Sequence, residues 1–204
     1  MFRSKAGTGA NKTLRALVPL AEGFEESEAV IVIDLFRRAN IQVVIAGLSA
    51  GSVMGGHGIA VVPDASLHAV ADQHFELVVL PGGQPGADNL AADPQLAALL
   101  RSALAKGALV GAICAGPLVL ARAGLLSGRR VTSFPGALDD IEPADWHFRT
   151  RPVVVDGNLV TSRGPGTAIE FALTLIALAA GPQRRRSVEG RLMRMSIFKA
   201  KRPS

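Results

Sequence analysis

Cys114 is the only cysteine of the chain, and it stands where a nucleophile would. Ala108-Leu-Val-Gly-Ala-Ile113 reads as a buried strand, Cys114-Ala-Gly-Pro117 as a turn, and residues 118–123 as an apolar helical run. Ala112 and Gly116 place a small residue two positions before and two after the thiol. That is the spacing of a nucleophile elbow, a sharp strand-to-helix turn with little room around it. Pro117 suits the first turn of the helix, where its missing N–H would have no partner. The thiol would face free backbone N–H groups and the positive end of a helix dipole, which favours thiolate. The alternative is an inert, buried core cysteine.

Three further stretches could converge on such a thiol. In Leu17-Val-Pro-Leu-Ala-Glu-Gly-Phe-Glu-Glu-Ser-Glu28 an apolar strand runs into four glutamates within seven residues, followed by a helix. Most of these glutamates are expected to be solvated and to favour the helix N-terminus. One that points inward across the strand ends would meet Cys114. Leu77-Val-Val-Leu-Pro-Gly-Gly83 is a buried strand ending in a glycine turn, where backbone amides can approach a ligand or a developing negative charge. Leu159-Val-Thr-Ser-Arg-Gly-Pro-Gly-Thr167 is a strand, a glycine loop and the start of a long apolar helix.

The elements that must position these residues alternate. Strands are expected at 15–20, 42–47, 77–80, 109–113 and 159–161, and helices at 27–39, 94–106, 117–123 and 167–180. A hairpin should fill 53–62, and a second should turn at Asp156-Gly157. Continuous apolar strands such as Leu77-Val-Val-Leu80 are what a parallel sheet covered on both faces requires. The expected fold class is α/β, a flavodoxin-like, doubly wound parallel sheet sandwich carrying a nucleophile elbow. Such sheets bind ligands at the carboxyl ends of their strands, where Cys114, Gly82, Gly83 and the glutamate loop all fall.

The strings Ala-Glu-Gly-Phe-Glu-Glu-Ser-Glu-Ala-Val, Val-Val-Leu-Pro-Gly-Gly, Ala-Ile-Cys-Ala-Gly-Pro and Thr-Ser-Arg-Gly-Pro-Gly-Thr, in this order, resemble the DJ-1/PfpI superfamily over about residues 15–182. Each is weak alone, and together they are specific. The likeness is to the DJ-1/YajL-like branch. The protease-like branch commonly carries histidine after the nucleophile, and here Ala115 follows Cys114. The resemblance implies that Cys114 is the reactive, oxidation-prone cysteine and that Glu28 is the protonated carboxyl bonded to its sulfur. It implies that the Gly83 and Ala115 amides bind an oxyanion. With Gly82, it places Arg38 and Arg163 around the pocket, although a surface or intersubunit ion pair is an equal alternative for either arginine. Two positions depart from the family pattern. Phe134 replaces a histidine near the cysteine and cannot accept a proton. His57 replaces an arginine that reaches the pocket from a partner subunit; it would serve as a donor or as an acid or base, or stand as an exposed hairpin histidine.

The function implied is a glutathione-independent glyoxalase or deglycase acting on aldehydes or glycated adducts, with no cofactor and as a homodimer. The contact face expected for that dimer is the apolar first helix, residues 29–36. The alternative is a non-enzymatic oxidative-stress sensor and chaperone, in which Cys114 climbs to sulfinic acid. His68, His74 and His147 have no metal-ligand spacing. His147, in Asp145-Trp-His-Phe148, is read as a packing residue.

At 204 residues and 49% hydrophobic, the chain can bury a substantial core. One cysteine excludes an intramolecular disulfide and fits a reducing, cytoplasmic setting. No apolar run reaches the ~18 residues that span a membrane. Residues 1–14 are expected as a disordered lead-in, 15–182 as the domain and 183–204 as a basic tail. The formal charge of +5 is unevenly spread. Residues 183–204 hold eight Lys/Arg and one Glu, whereas residues 17–182 hold ten basic and sixteen acidic residues. The folded part is therefore acidic. The tail is read as a solvated terminus, with nucleic acid as the weaker alternative partner.

Overall fold

The computed structural model describes residues 13–142 and 145–193. Its strands are β1 (Arg15–Leu20), β2 (Gln42–Gly47), β3 (Val53–Met54), β4 (Ala60–Val61), β5 (Ala65–Ser66), β6 (Leu77–Leu80), β7 (Leu109–Ile113), β8 (Arg130–Val131), β9 (His147–Phe148), β10 (Val153–Asp156) and β11 (Leu159–Ser162). Its helices are α1 (Glu26–Arg38), α2 (Leu67–Val70), α3 (Gly86–Ala91), α4 (Pro94–Ala105), α5 (Pro117–Arg122), α6 (Ala168–Ala180) and α7 (Pro182–Arg191).

Seven strands form one sheet in the order β10-β11-β7-β6-β1-β2-β5. All its pairings are parallel except β10 with β11, which form the hairpin expected at Asp156-Gly157. Taken in chain order, the five principal parallel strands run 2-1-3-4-5, the flavodoxin-like arrangement. The sheet reverses direction of winding between β1 and β6, and the candidate residues lie at the carboxyl ends of β1, β6 and β7.

Alternation along β1 feeds two cores. Ala16, Val18 and Leu20 join the cluster of α1 and α6, including Phe36, Phe171 and Leu175. Leu17 points to the opposite face, with Leu96, Leu100 and Leu120 of α4 and α5. β6 is buried along its whole length, as its unbroken apolar run requires.

The expected first helix begins one residue earlier, at Glu26. Its apolar residues Ala29, Val32, Ile33, Leu35 and Phe36 are buried within the protomer, which leaves Val30 as the large exposed one. The face expected to bind a second copy is thus mostly spent on the core. The basic segment from residue 183 does not begin as a solvated tail. It starts as α7, whose Val188 is fully buried. Arg184 donates to the Ala39 carbonyl (3.0 Å), Arg185 to Glu170 (2.7 Å) and Arg191 to the Arg38 carbonyl (2.9 Å). Two of these guanidiniums cap the negative end of α1. The expected lead-in, through residue 12, and residues 194–204 lie outside the described residues. Among the described residues no helix is long and apolar enough to cross a membrane.

Candidate active site at the Cys114 elbow

Cys114 has φ 61°, in the left-handed region that side chains other than glycine avoid. The turn is held from three sides. Cys114 N–H donates to the Ser162 carbonyl (3.0 Å), the Cys114 carbonyl accepts from Phe134 N–H (2.9 Å), and Gly116 N–H returns to Ile113 (2.8 Å). A non-glycine residue persists in this conformation, at a cost of about 1–3 kcal/mol, only where its neighbours over-determine it. β7 ends at Ile113 and α5 begins at Pro117, so the strand, elbow and helix fall as the small-residue spacing predicts.

The four glutamates separate by environment. Glu22 is exposed and accepts from Met54 N–H (3.1 Å). Glu25 accepts from the Ser27 hydroxyl (2.6 Å). Glu26 is buried, and its carboxylate accepts from the His57 and Ile59 N–H groups (2.6 and 3.3 Å) and meets the His57 ring at 3.0 Å. Burial of Glu26 opposes ionisation, but these bonds together hold it at about 2. Glu28 alone reaches the sulfur. It is fully buried, and its Oε2 accepts from Gly82 N–H (2.8 Å). Its Oε1 is buried without a hydrogen-bond partner.

Burial pushes the Glu28 carboxyl up to about 7, against the Gly82 N–H and the Cys114 thiol, which favour its ionised form. Burial, and then the Glu28 charge, push the Cys114 thiol up to about 12. The helix-dipole expectation of a thiol already lowered is therefore corrected: a carboxylate in the same buried site repels the thiolate. The two groups share one negative charge. With Glu28 ionised, sulfur keeps its proton. With Glu28 protonated, the repulsion disappears and the Ala115 and Gly83 N–H groups, which bond the sulfur, remain to hold a thiolate.

The close approach depends on Gly82. A Cβ there would lie 2.5 Å from the Cys114 Cβ, 2.8 Å from Ala115 N and 2.9 Å from Glu28 Oε2. Gly83 has φ 88° and abuts the backbone of Gly23, Phe24 and Glu25, so neither position has room for a side chain. Cys114, Glu28, Gly82, Gly83 and Ala115 are thus brought together.

The remaining candidates are placed differently. Arg38 is not at the site. It lies ten residues after Glu28 on α1, about 15 Å along the axis at 1.5 Å per residue. There its Nε pairs with Asp34 at 2.7 Å. The helix starts at the strand ends and carries its last turn away from them. Arg163 does flank the elbow, because it follows Ser162, the acceptor of Cys114 N–H. Its guanidinium makes no hydrogen bond or ion pair among the described residues. His57, in the β3–β4 turn, is 73% exposed and pairs with Glu26 (3.0 Å) and Glu25 (3.4 Å); no hydrogen bond joins it to Cys114. These carboxylates raise its pKa. Glu25, Glu26 and His57 are the one group among the described residues compact enough to hold a metal ion, but Glu26 already spends its oxygens on the hairpin. His147 is exposed rather than packed, and Phe134 is exposed beside the elbow. Ser162, whose carbonyl fixes Cys114, lies one residue beyond the expected strand end at 161; extending the apolar run 159–161 by register would have found it.

A model of the DJ-1/PfpI family matches residues 14–178. Protein dj-1beta of Drosophila melanogaster is 44% identical over 170 residues, covering 83% of this chain and 91% of that protein. The glutathione-independent glyoxalase DJR-1.2 of Caenorhabditis elegans is 36% identical over 179 residues, covering 88% and 95%. The crystal structure of Drosophila melanogaster DJ-1beta superposes with a TM-score of 0.84 at 41% identity, covering 90% of this chain and all of that one. The chain therefore belongs to the DJ-1/PfpI family.

Proposed function

We propose that this protein is a cysteine-dependent enzyme that acts on reactive dicarbonyls as a glyoxalase without glutathione, or on their adducts as a deglycase. The observation that carries this reading is the buried Glu28 carboxyl, with a pKa near 7, sharing one charge with a lone thiol that two backbone N–H groups face. A relative at 36% identity bears the glyoxalase activity in its name.

The chemistry is internally balanced. The Cys114 sulfur attacks the aldehyde carbon of methylglyoxal, an S–C bond forms, and the carbonyl electron pair moves to oxygen. The Gly83 and Ala115 N–H groups hold that oxyanion until Glu28 protonates it. Glu28 then takes the proton from the former aldehyde carbon and returns one to the neighbouring carbon, while the hydroxyl proton of the first carbon passes to the former ketone oxygen, which leaves a thioester beside a new alcohol. Water cleaves the thioester, giving lactate and the free thiol. One carbon is oxidised and its neighbour reduced, so no external oxidant is needed. A carboxyl that titrates near 7 suits both directions of proton transfer at neutral pH. In the absence of glutathione, each methylglyoxal consumed is expected to yield one lactate, as read by enzymatic lactate quantification. Methylglyoxal loss without lactate would refute this route.

A second reading, redox sensing, is favoured by the unpartnered buried Oε1 of Glu28, a carboxyl able to donate to a sulfinate oxygen. The chain has no second cysteine to resolve a sulfenic acid. Two equivalents of peroxide are expected to add two oxygen atoms to Cys114 and abolish dicarbonyl turnover. Intact-mass spectrometry under non-reducing conditions checks this; a disulfide-linked dimer as main product would exclude it.

The homodimer is retained as part of the proposal, with a different face. Val30, Met54, Ile59 and Val62 are 45–76% exposed on α1 and the β3–β4 hairpin, an apolar set that a second copy would cover. Light scattering at micromolar concentration should give a dimer mass, and a monomer would remove this assembly.

A further inference from the structure

Arg184, Ser187 and Arg191 stand three and four residues apart in the sequence and so share one stripe of α7. That stripe meets the last turn of α1, where Arg184 bonds the Ala39 carbonyl and Arg191 the Arg38 carbonyl. One cation would suffice to cap that helix end. Arg38 brings a third guanidinium to it, and the three line a cleft of about 310 Å³ with Asn40, Gln183 and Ser187. No carboxylate is among the described residues that line it. Arg38 pairs with Asp34 (2.7 Å), whereas Arg184 and Arg191 bond carbonyls only, Arg191 also that of Ser187 (3.2 Å). Each guanidinium has more N–H donors than these bonds use. The Asn40 amide and the Ser187 hydroxyl are exposed and make no hydrogen bond among the described residues. The flanking sequence, 1–12 and 194–204, adds seven Lys/Arg and no Asp or Glu. The cleft therefore keeps an excess of positive charge.

We infer that this cleft binds a phosphate monoester, the terminal phosphate of a small molecule, and that it is separate from the Cys114 site. Planar guanidinium forks match phosphate oxygens two at a time. Three arginines against one aspartate leave two positive charges, and a monoester carries about −1.5 to −2 at neutral pH. A diester, with a single charge, matches only half of that excess. Charge thus favours a terminal phosphate over the backbone of a nucleic acid. The Asn40 amide and the Ser187 hydroxyl supply neutral donors beside the arginines. Arg38 lies about 15 Å along α1 from Glu28, so an anion held here does not reach the thiol. The inference is independent of the glyoxalase reading.

The test titrates the full chain with methyl phosphate and dimethyl phosphate at constant ionic strength and reads the rise in melting temperature. Methyl phosphate should raise it saturably and bind at least about tenfold more tightly than the diester. Arg38→Gln, at an exposed position, should weaken methyl phosphate about tenfold, the usual worth of one charge-assisted contact. Ser187→Glu removes no bond of a side chain and sets a carboxylate in the cleft, so it should abolish saturation. Ser187→Gln, the neutral control, should retain it within about twofold. Vesicles of phosphatidylcholine and phosphatidic acid separate the two sources of a monoester: cosedimentation lost in Ser187→Glu would support the site with a lipid headgroup as its ligand. Equal affinity for monoester and diester, or saturation unchanged in Ser187→Glu, would overturn it. A single-stranded oligonucleotide without terminal phosphate that binds more tightly than methyl phosphate, equally in wild type and Ser187→Glu, would overturn it in favour of nucleic acid. Competitive inhibition of methylglyoxal turnover by methyl phosphate would place the anion at Cys114 and overturn it as well.

Discussion

Glu28→Gln is expected to slow methylglyoxal turnover by about two to four orders of magnitude, the usual worth of a positioned general acid–base. Glutamine preserves the shape and an N–H donor toward sulfur, but it cannot move the proton between the two substrate carbons. A comparable set of pH profiles should show wild-type activity turning over near pH 7, where the Glu28 carboxyl titrates, and a variant lacking that inflection. Stability should change in the opposite sense. The Glu28 pKa is raised from 4.5 to about 7 on folding, so the native state binds a proton that the unfolded chain has released. Wild-type stability from this group is therefore full below about pH 4.5 and is lost as pH rises through 7. The loss is on the order of 3 kcal/mol at ~1.4 kcal/mol per pKa unit. Urea denaturation at pH 5 and pH 8 should show that Glu28→Gln removes most of this slope and is the more stable protein at pH 8. A variant with unchanged turnover and an unchanged slope would take Glu28 out of both roles.

The second large effect belongs to Gly82→Ala. Its new methyl would sit 2.5 Å from the Cys114 Cβ and press on Ala115 N and Glu28 Oε2 at once. These are backbone and buried atoms, none able to swing aside. The site must open, at a cost of about 1–3 kcal/mol of stability. A displacement of about 1 Å between sulfur, carboxyl and amides is enough for a ~100-fold loss of turnover. Thermal melting separates the two effects: a folded, melting-competent variant with near-normal activity would show that Gly82 merely passes by the thiol.

Much of this site was legible in the sequence. Unbroken apolar runs such as 77–80 and 109–113 identify buried parallel strands, and the observed β6 and β7 have those bounds. Small residues around Cys114 announce the elbow, because only a tight turn needs them there. What escaped was decided by tertiary contact. β5 has two residues, α2 one turn, and α3 opens on Gly86 and carries Asp88 and Asn89, a composition that reads as loop. α7 reads as a tail because Arg184, Arg185 and Arg186 dominate it. Its docking rests on one buried valine and on guanidinium-to-carbonyl bonds that leave no periodic trace. Arg38 takes the surface ion-pair alternative, with Asp34, because α1 carries that position along its axis away from the thiol. The resemblance implies a protonated Glu28 at the sulfur, in line with its raised pKa, whereas the raised thiol was beyond the sequence. A helix terminus beside Cys114 suggests a lowered pKa, but the depth of Glu28 raises both groups, and depth is a property of the packed fold.

Everything in the proposed reaction depends on Cys114 being the group that attacks the carbonyl. Its most direct test is the rate of methylglyoxal consumption by wild type and by Cys114→Ser at equal concentration, with glutathione omitted and both proteins shown to melt alike. Steady consumption is expected for wild type and a rate indistinguishable from buffer for Cys114→Ser, since a serine hydroxyl in this buried site has no base strong enough to ionise it. Equal rates for the two proteins would contradict it.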